Sequence, residues 1–225
     1  MKRIVLLNLL FLIMMDAQAQ FEIGFRLGSG VEGQLGDTKD HNYLMGFHFG
    51  LATNYEFTEY FKVQSGLVYA SKGSKRLINA DLLSTDDNQL SVLRLNYVEL
   101  PIDFTYTWNP GDEQFMIVLG GYGGYGVFGS VEYKLKVAGT TTTEVNDVAF
   151  VKDLNETGVS YPASKWDFGV NAGIAYRYFD FKVQASYSYG FVNTMPPLEG
   201  QEPVSEINNH GIRISLLYFM HHYTL

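Results

Sequence analysis

The chain has 225 residues and a formal net charge of −8, with no cysteine, 6 Pro, 23 Gly, 16 Tyr and 16 Phe. The length suits one all-β domain, and the Gly- and aromatic-rich composition favours strands over helices. The lack of cysteine excludes disulfide staples, thiol chemistry and a cysteine-linked lipid anchor, and the acidic balance without a basic block argues against nucleic-acid binding.

Lys2 and Arg3 open the chain, Ile4 to Met15 is apolar apart from Asn8, and Ala17-Gln18-Ala19 follows. Basic start, short apolar core and small residues before Gln20 form a Sec-type secretory signal. The apolar core is too short to span a bilayer comfortably. The expected organisation is a cleaved signal peptide over 1–19 and one domain over 20–225.

Beyond it, hydrophobic residues recur with period two, the spacing of strands with one apolar face. The first predicted strand sets Phe21, Ile23, Phe25 and Leu27 against Glu22, Gly24, Arg26 and Gly28. The second sets Met45, Phe47, Phe49 and Leu51 against Gly46, His48, Gly50 and Ala52. The third sets Phe61, Val63, Leu67 and Tyr69 against Lys62, Gln64 and Gly66. The fourth alternates Val98, Leu100, Ile102, Phe104, Tyr106 and Trp108 with Glu99, Pro101, Asp103, Thr105 and Thr107. Its earlier apolar residues Leu93, Leu95 and Tyr97 have the opposite parity, which predicts a bulge near Tyr97-Val98.

The fifth is Gly-rich, with Phe115, Ile117, Leu119, Tyr125, Val127, Val131 and Tyr133 sharing a face with Gly121 and Gly123. The sixth sets Trp166, Phe168, Val170, Ala172, Ile174 and Tyr176 against Asp167, Gly169, Asn171, Gly173 and Arg177. The seventh sets Phe181, Val183, Ala185, Tyr187 and Tyr189 against Lys182, Gln184, Ser186 and Ser188. The eighth sets Ile212, Ile214, Leu216 and Tyr218 against Gly211, Arg213 and Ser215.

Connections alternate too. Asn54 to Glu59, Asn109 to Asp112 and Phe179-Asp180 are short, whereas Glu32 to Asn42, Ser74 to Val92, Val137 to Lys165 and Val192 to Asn209 are long and polar. In paired hairpins all short turns fall at one end and all long loops at the other. This is the plan of a transmembrane antiparallel up-and-down β-barrel of about eight strands in a Gram-negative outer membrane.

A soluble barrel has the same period but faces its apolar side inward. Two features favour the lipid-facing arrangement. Glu22, Arg26, Lys62, Glu99, Asp103, Asp167, Arg177, Lys182 and Arg213 share the polar face with many glycines, as suits a narrow filled interior and a structural charge network. Tyr55, Trp108, Phe115, Tyr176, Phe181 and Tyr218 cluster by position near the short turns, and Tyr69, Tyr133, Trp166 and Tyr189 near the long loops. These predict two membrane-interface girdles. The sixth strand's twelve or so steps of ~3.3 Å, tilted ~40°, cover roughly 30 Å, a bilayer core.

Leu95-Asn-Tyr-Val-Glu-Leu-Pro101 resembles a characteristic strand of the PorT-like outer-membrane β-barrel family, and Gly120 to Gly129 resembles the Gly/aromatic strand after it. Asn209 to Phe219 resembles that family's last strand. The resemblance implies an outer-membrane barrel, in a family one of whose members serves a protein-secretion and gliding apparatus. Asn209, Gly211, Ile214 and Leu216 partly fit the C-terminal signal read by barrel-assembly machinery, an expected partner during biogenesis.

Gly121, Gly123 and Gly126 match G-x-G-x-x-G, but strand pattern continues on both sides, so close packing is expected rather than a dinucleotide site. His221-His222 point to opposite faces of a strand with no third ligand nearby, and His48 reads as an interior filler. No catalytic, metal or cofactor residues are expected. The expected role is non-enzymatic, with outer-membrane lipid as solvent and long loops that bind an envelope protein or ligand or anchor an assembly. A lipid-modifying enzyme and a narrow channel or secretion-accessory barrel are the alternatives.

Overall fold

Alternating strands leave every backbone N–H and C=O to be satisfied by a neighbour, and in lipid only closure achieves this. The computed structural model, which describes residues 21–36, 41–79, 88–137, 140–151, 161–195 and 206–220, closes in that way. Its strands are β1 (Phe21–Gly36), β2 (His41–Asn42), β3 (Leu44–Glu56), β4 (Phe61–Asn79), β5 (Asn88–Thr107), β6 (Glu113–Val137), β7 (Thr140–Val151), β8 (Pro162–Ser164), β9 (Trp166–Tyr178), β10 (Phe181–Asn193) and β11 (Ile207–Met220). Eight form an antiparallel ring in the order β1-β3-β4-β5-β6-β9-β10-β11. The seam is β1 on β11, in register from Ile23↔Met220 to Gly36↔Ile207.

The short turns share one end with Phe21 and Met220. At Asn109 the side chain ties the turn, accepting from the Phe115 N–H and donating to the Glu113 carbonyl, both at 2.8 Å. Phe179 takes φ 50°, the left-handed conformation a two-residue hairpin demands. The outer wall carries exposed apolar residues such as Phe25, Leu27, Phe104, Leu119, Ile174 and Ile214. The inner wall buries Arg26, Lys62, Gln64, Glu99, Asp103, Asp167 and Arg213. The interior is not wholly polar, since Ala52, Leu217 and Phe219 form one buried apolar cluster and Met116, Val118 and Ala175 another.

Two expectations require correction. The bulge expected near Tyr97-Val98 is present in the β5–β6 ladder beside Tyr97, but its extra residue lies in β6 and not in β5. Asn96 pairs with Phe128 and Tyr97 with Gly126, so Val127 of β6 has no partner, while β4 and β5 stay in register through Ala70↔Tyr97. Leu93, Leu95 and Tyr97 therefore share the inner face with Glu99. What changes along β5 is the chemistry of that face, polar at mid-barrel and apolar above. Past Val127 the phase of β6 inverts, so Val131 and Tyr133 also turn inward.

The second correction concerns the long connections. β4, β5 and β6 have 19, 20 and 25 residues against 13 each for β9 and β10, so much of the presumed loop sequence is strand. Beyond Tyr125, which pairs with Trp166 at the top of β9, β6 continues for roughly 40 Å of extended chain. β7 pairs with this extension from Gly129↔Val148 to Val137↔Thr140, β8 lies parallel to β7, and β2 joins the upper part of β4. The result is an asymmetric raised wall at the mouth opposite the short turns.

Candidate functional site

The inner columns of the staves meet in three tiers. Nearest the short turns, Arg177 of β9 donates twice to the Glu22 carboxylate of β1, at 2.7 and 2.8 Å, and Asn54 Nδ2 donates to the same group at 2.7 Å. The Arg177 guanidinium also covers the Phe219 ring at 5.3 Å. Lys62 pairs with Glu56 at 2.8 Å and donates to Gln114 at 3.3 Å.

In the middle tier, Lys182 donates to Gln64 Oε1 at 2.9 Å, and Gln64 donates to Gln184 at 3.2 Å. Asp103 accepts from Asn171 at 3.2 Å and lies 4.0 Å from Arg26. His48 Nε2 and the Ser215 hydroxyl are 2.8 Å apart. A cavity of about 20 Å³ beside Arg26 has room for about one water.

The upper tier is the most densely charged. Lys72 of β4 lies 2.6 Å from Glu99 of β5 and 2.7 Å from Asp167 of β9. Arg213 of β11 bridges Glu99 at 2.8 Å and Glu32 of β1 at 2.7 Å. Asn209 donates to Asp167 at 3.1 Å, and the Lys72 ammonium sits 4.0 Å from the Tyr122 ring centroid. The ion pairs thus tie together five of the eight staves, and Tyr122 adds β6. Buried charges are tolerable only when paired in this manner.

Each residue of the expected charge set lies on the inner wall: Glu22, Arg26, Lys62, Glu99, Asp103, Asp167, Arg177, Lys182 and Arg213. Sequence reasoning missed Lys72 and Glu32, both central to the upper tier. The signal for Lys72 was available in the even-numbered column Lys62, Gln64, Gly66, Val68, Ala70, Lys72. Buried Val68 and Ala70 hid it, because an inner face that turns apolar looks like the end of the pattern.

Above these tiers lies a cavity of about 260 Å³ at the mouth opposite the short turns. Its base is a hydrogen-bonded chain in which Ser74 donates to Gln34 Oε1 at 2.7 Å and Gln34 donates to Thr194 at 3.2 Å. Its wall is formed by Leu93, Leu95, Val131, Tyr133, Val148, Tyr161 and Ala163, which belong to an apolar cluster that Tyr97 and Phe150 complete from behind. The Tyr133 and Tyr161 rings lie 5.6 Å apart, tilted by 44°. Burial, with the Tyr161 hydroxyl next in effect, pushes the Tyr133 phenol up to about 12, so it stays neutral at ordinary pH.

Of the expected girdle aromatics, Trp108, Phe115 and Phe181 are exposed on the outer wall near the short turns. Phe115 meets Tyr176 at 4.9 Å, Phe181 meets Tyr218 at 5.0 Å, and Tyr55 meets Phe57 at 4.8 Å. At the other end Trp166 meets Tyr125 at 5.0 Å, Tyr69 meets Phe49 at 5.1 Å and Tyr189 meets Phe191 at 5.8 Å. Tyr133 is the exception, turned to the cavity by the Val127 bulge.

The run Gly121, Gly123, Gly126 is strand throughout. A Cβ on Gly126 would strike the Phe150 ring, so this glycine admits β7 against the barrel mouth. Among the described residues no cluster of three metal-ligating side chains occurs. His221-His222 and the signal segment 1–19 lie outside the described residues, as does all of the connection 196–205.

Comparison with solved structures gives distant likenesses. Ail of Yersinia pestis, solved with the heparin analogue sucrose octasulfate, is 14% identical with a TM-score of 0.42, covering 89% of this chain and 99% of that chain. Neisserial surface protein A is 10% identical with a TM-score of 0.39, covering 88% and 96%. The N-terminal barrel of Pseudomonas aeruginosa OprF is 9% identical with a TM-score of 0.32, covering 87% and 97%. No curated protein matches. A family model for the outer membrane protein beta-barrel domain matches residues 16–195, which is most of the chain, and with its closed eight-strand ring this protein belongs to that family and is an integral protein of the bacterial outer membrane.

Proposed function

We propose that this is a non-conducting, non-enzymatic barrel whose raised external wall binds a ligand or envelope partner. The observation that carries the reading is the division of the interior. Below, ion pairs and hydrogen bonds knit the staves together across the lumen. Above, the longest strands build an apolar-walled cavity open toward the outside. A barrel of eight strands has an interior only wide enough for side chains. In the upper and lower tiers the charged side chains bind one another, which favours a structural over a catalytic role.

In this reading the outer aromatics form two interfacial girdles, with Trp108, Phe115, Tyr176, Phe181, Tyr218 and Tyr55 on the periplasmic side. Tyr69, Trp166 and Tyr189 lie on the outer side. Export through the 1–19 signal and insertion by the barrel-assembly machinery complete the picture. The PorT-like motif at Leu95 to Pro101 supports a place near that subfamily.

The test has two readouts. In planar bilayers the refolded protein should show no unit conductance, and a stable open channel would overturn the filled-lumen reading. Replacing residues 140–164 by a short Gly-Ser link should change what the protein captures from envelope extracts. An unchanged capture profile, together with no small-molecule binding, would remove the wall's assigned role.

A further inference from the structure

We infer that the external cavity takes a small amphiphilic anion, an apolar aliphatic or aromatic body bearing one carboxylate. This rests on the reading of the raised wall as a ligand-binding element. The argument follows the inner column of β4 upward. Lys72 is committed to Glu99 and Asp167, and Ser74 is committed to Gln34. Both ends of the Gln34 amide are thereby used, because its nitrogen donates to Thr194. The next residue of that column is Arg76, solvent-exposed at the cavity's rim, which lines the cavity and makes no ion pair with any described residue.

The remaining lining is apolar, from Leu93, Leu95, Val131, Val148, Ala163 and Ile207. The Tyr133 hydroxyl is engaged with Tyr161 and Ser91. An apolar pocket with a few placed polar groups is the usual form of a small-molecule site. Here the one uncommitted polar group is a cation, so the ligand's polar end carries negative charge and the guanidinium can hold a carboxylate through two parallel N–H donors. A second charge on the ligand would lie against Leu93 or Val131, where nothing compensates it. The volume of about 260 Å³ equals roughly nine waters at about 30 Å³ each, enough for a medium acyl chain or one ring, and too little for a peptide or saccharide chain.

The experiment is isothermal titration of the refolded full chain in micelles with octanoate, phenylbutyrate and, as a neutral control, octanol. The wild type should bind both acids saturably, and the stronger of the two identifies an aliphatic or aromatic source. R76Q should weaken both acids by about tenfold, the loss of one charged hydrogen-bonded pair, and leave octanol unchanged. R76K should recover part of the affinity. L93W, which fills the cavity, should abolish binding of all three, and V131F serves the same purpose should L93W fail the heat-modifiable gel test of folding. Equal heats for wild type, R76Q and L93W would mean partition into micelles alone and overturn the proposal. Octanol binding as well as octanoate, with R76Q indifferent, would also overturn it but leave the wall as a ligand site. If no probe binds while the 140–164 replacement still alters capture, the proposal falls and the broader reading stands.

Discussion

Lys72 and Glu99, on adjacent staves, bring opposite charges to 2.6 Å at a depth where both side chains are almost wholly shielded from solvent. The pair does not stand alone, since Asp167 completes one side and Arg213 the other. Removing one member of a buried pair leaves the other charge uncompensated, which costs about 3–5 kcal/mol.

K72M should therefore lower the urea midpoint of the refolded barrel by an amount matching several kcal/mol, because it leaves Asp167 without a cation and Glu99 with Arg213 alone. E99Q should cost less than K72M, because Arg213 retains Glu32 and Lys72 retains Asp167. Reversible urea titration followed by gel mobility measures both. Equal stability of K72M and wild type would refute the network's structural role.

Gly126→Ala tests the seating of β7. The added methyl meets the Phe150 ring, and overpacking of this kind costs about 1–3 kcal/mol. The expected result is faster proteolysis within 140–164 with the heat-modifiable barrel intact. F150A in the same chain should relieve the clash, so the double variant should be less sensitive to protease than the sum of the two single changes predicts.

The chain contains 2 Trp, and the girdle assignment puts Trp108 and Trp166 at opposite interfaces. With lipids brominated at different depths, each tryptophan, measured in the single-Trp variants W108F and W166F, should be quenched more by bromine near the headgroups than near the bilayer centre. Stronger quenching from the centre for either would remove it from a girdle.

Deleting Val127 removes the bulge residue of β6 and restores unbroken alternation. Gly126 then points in, Phe128 out and Gly129 in, so Val131 and Tyr133 keep their inward phase and octanoate binding should persist while the barrel still folds. Lost binding would mean that the bulge itself, beyond the phase it sets, shapes the cavity.

Much of this architecture was readable from period two alone. Each of the eight ring strands was placed, as were the short turns, because one face of every stave is apolar and the other is richer in polar side chains. The failures cluster above the bilayer. There the inner face turns apolar at Leu95 and Tyr97, polar residues such as Thr141 and Glu144 occupy strand, and alternation no longer marks inside from outside. Glu32 was assigned to a loop because β1 continues beyond the lipid-facing pattern that betrayed its start. The cavity has no linear signature, because its walls come from β4, β5, β6 and β7 together with β8 and the ends of β1, β10 and β11.

The β1–β11 seam joins Ile23 to Met220, about 200 residues apart in the chain. Bringing such distant ends together costs roughly 5 kcal/mol of loop entropy beyond a constant term. The cylinder gains its last row of backbone hydrogen bonds only when the final stave arrives, so a nascent chain lacking β11 has two raw edges facing hydrocarbon. Closure of the ring is accordingly an all-or-none event that waits for β11.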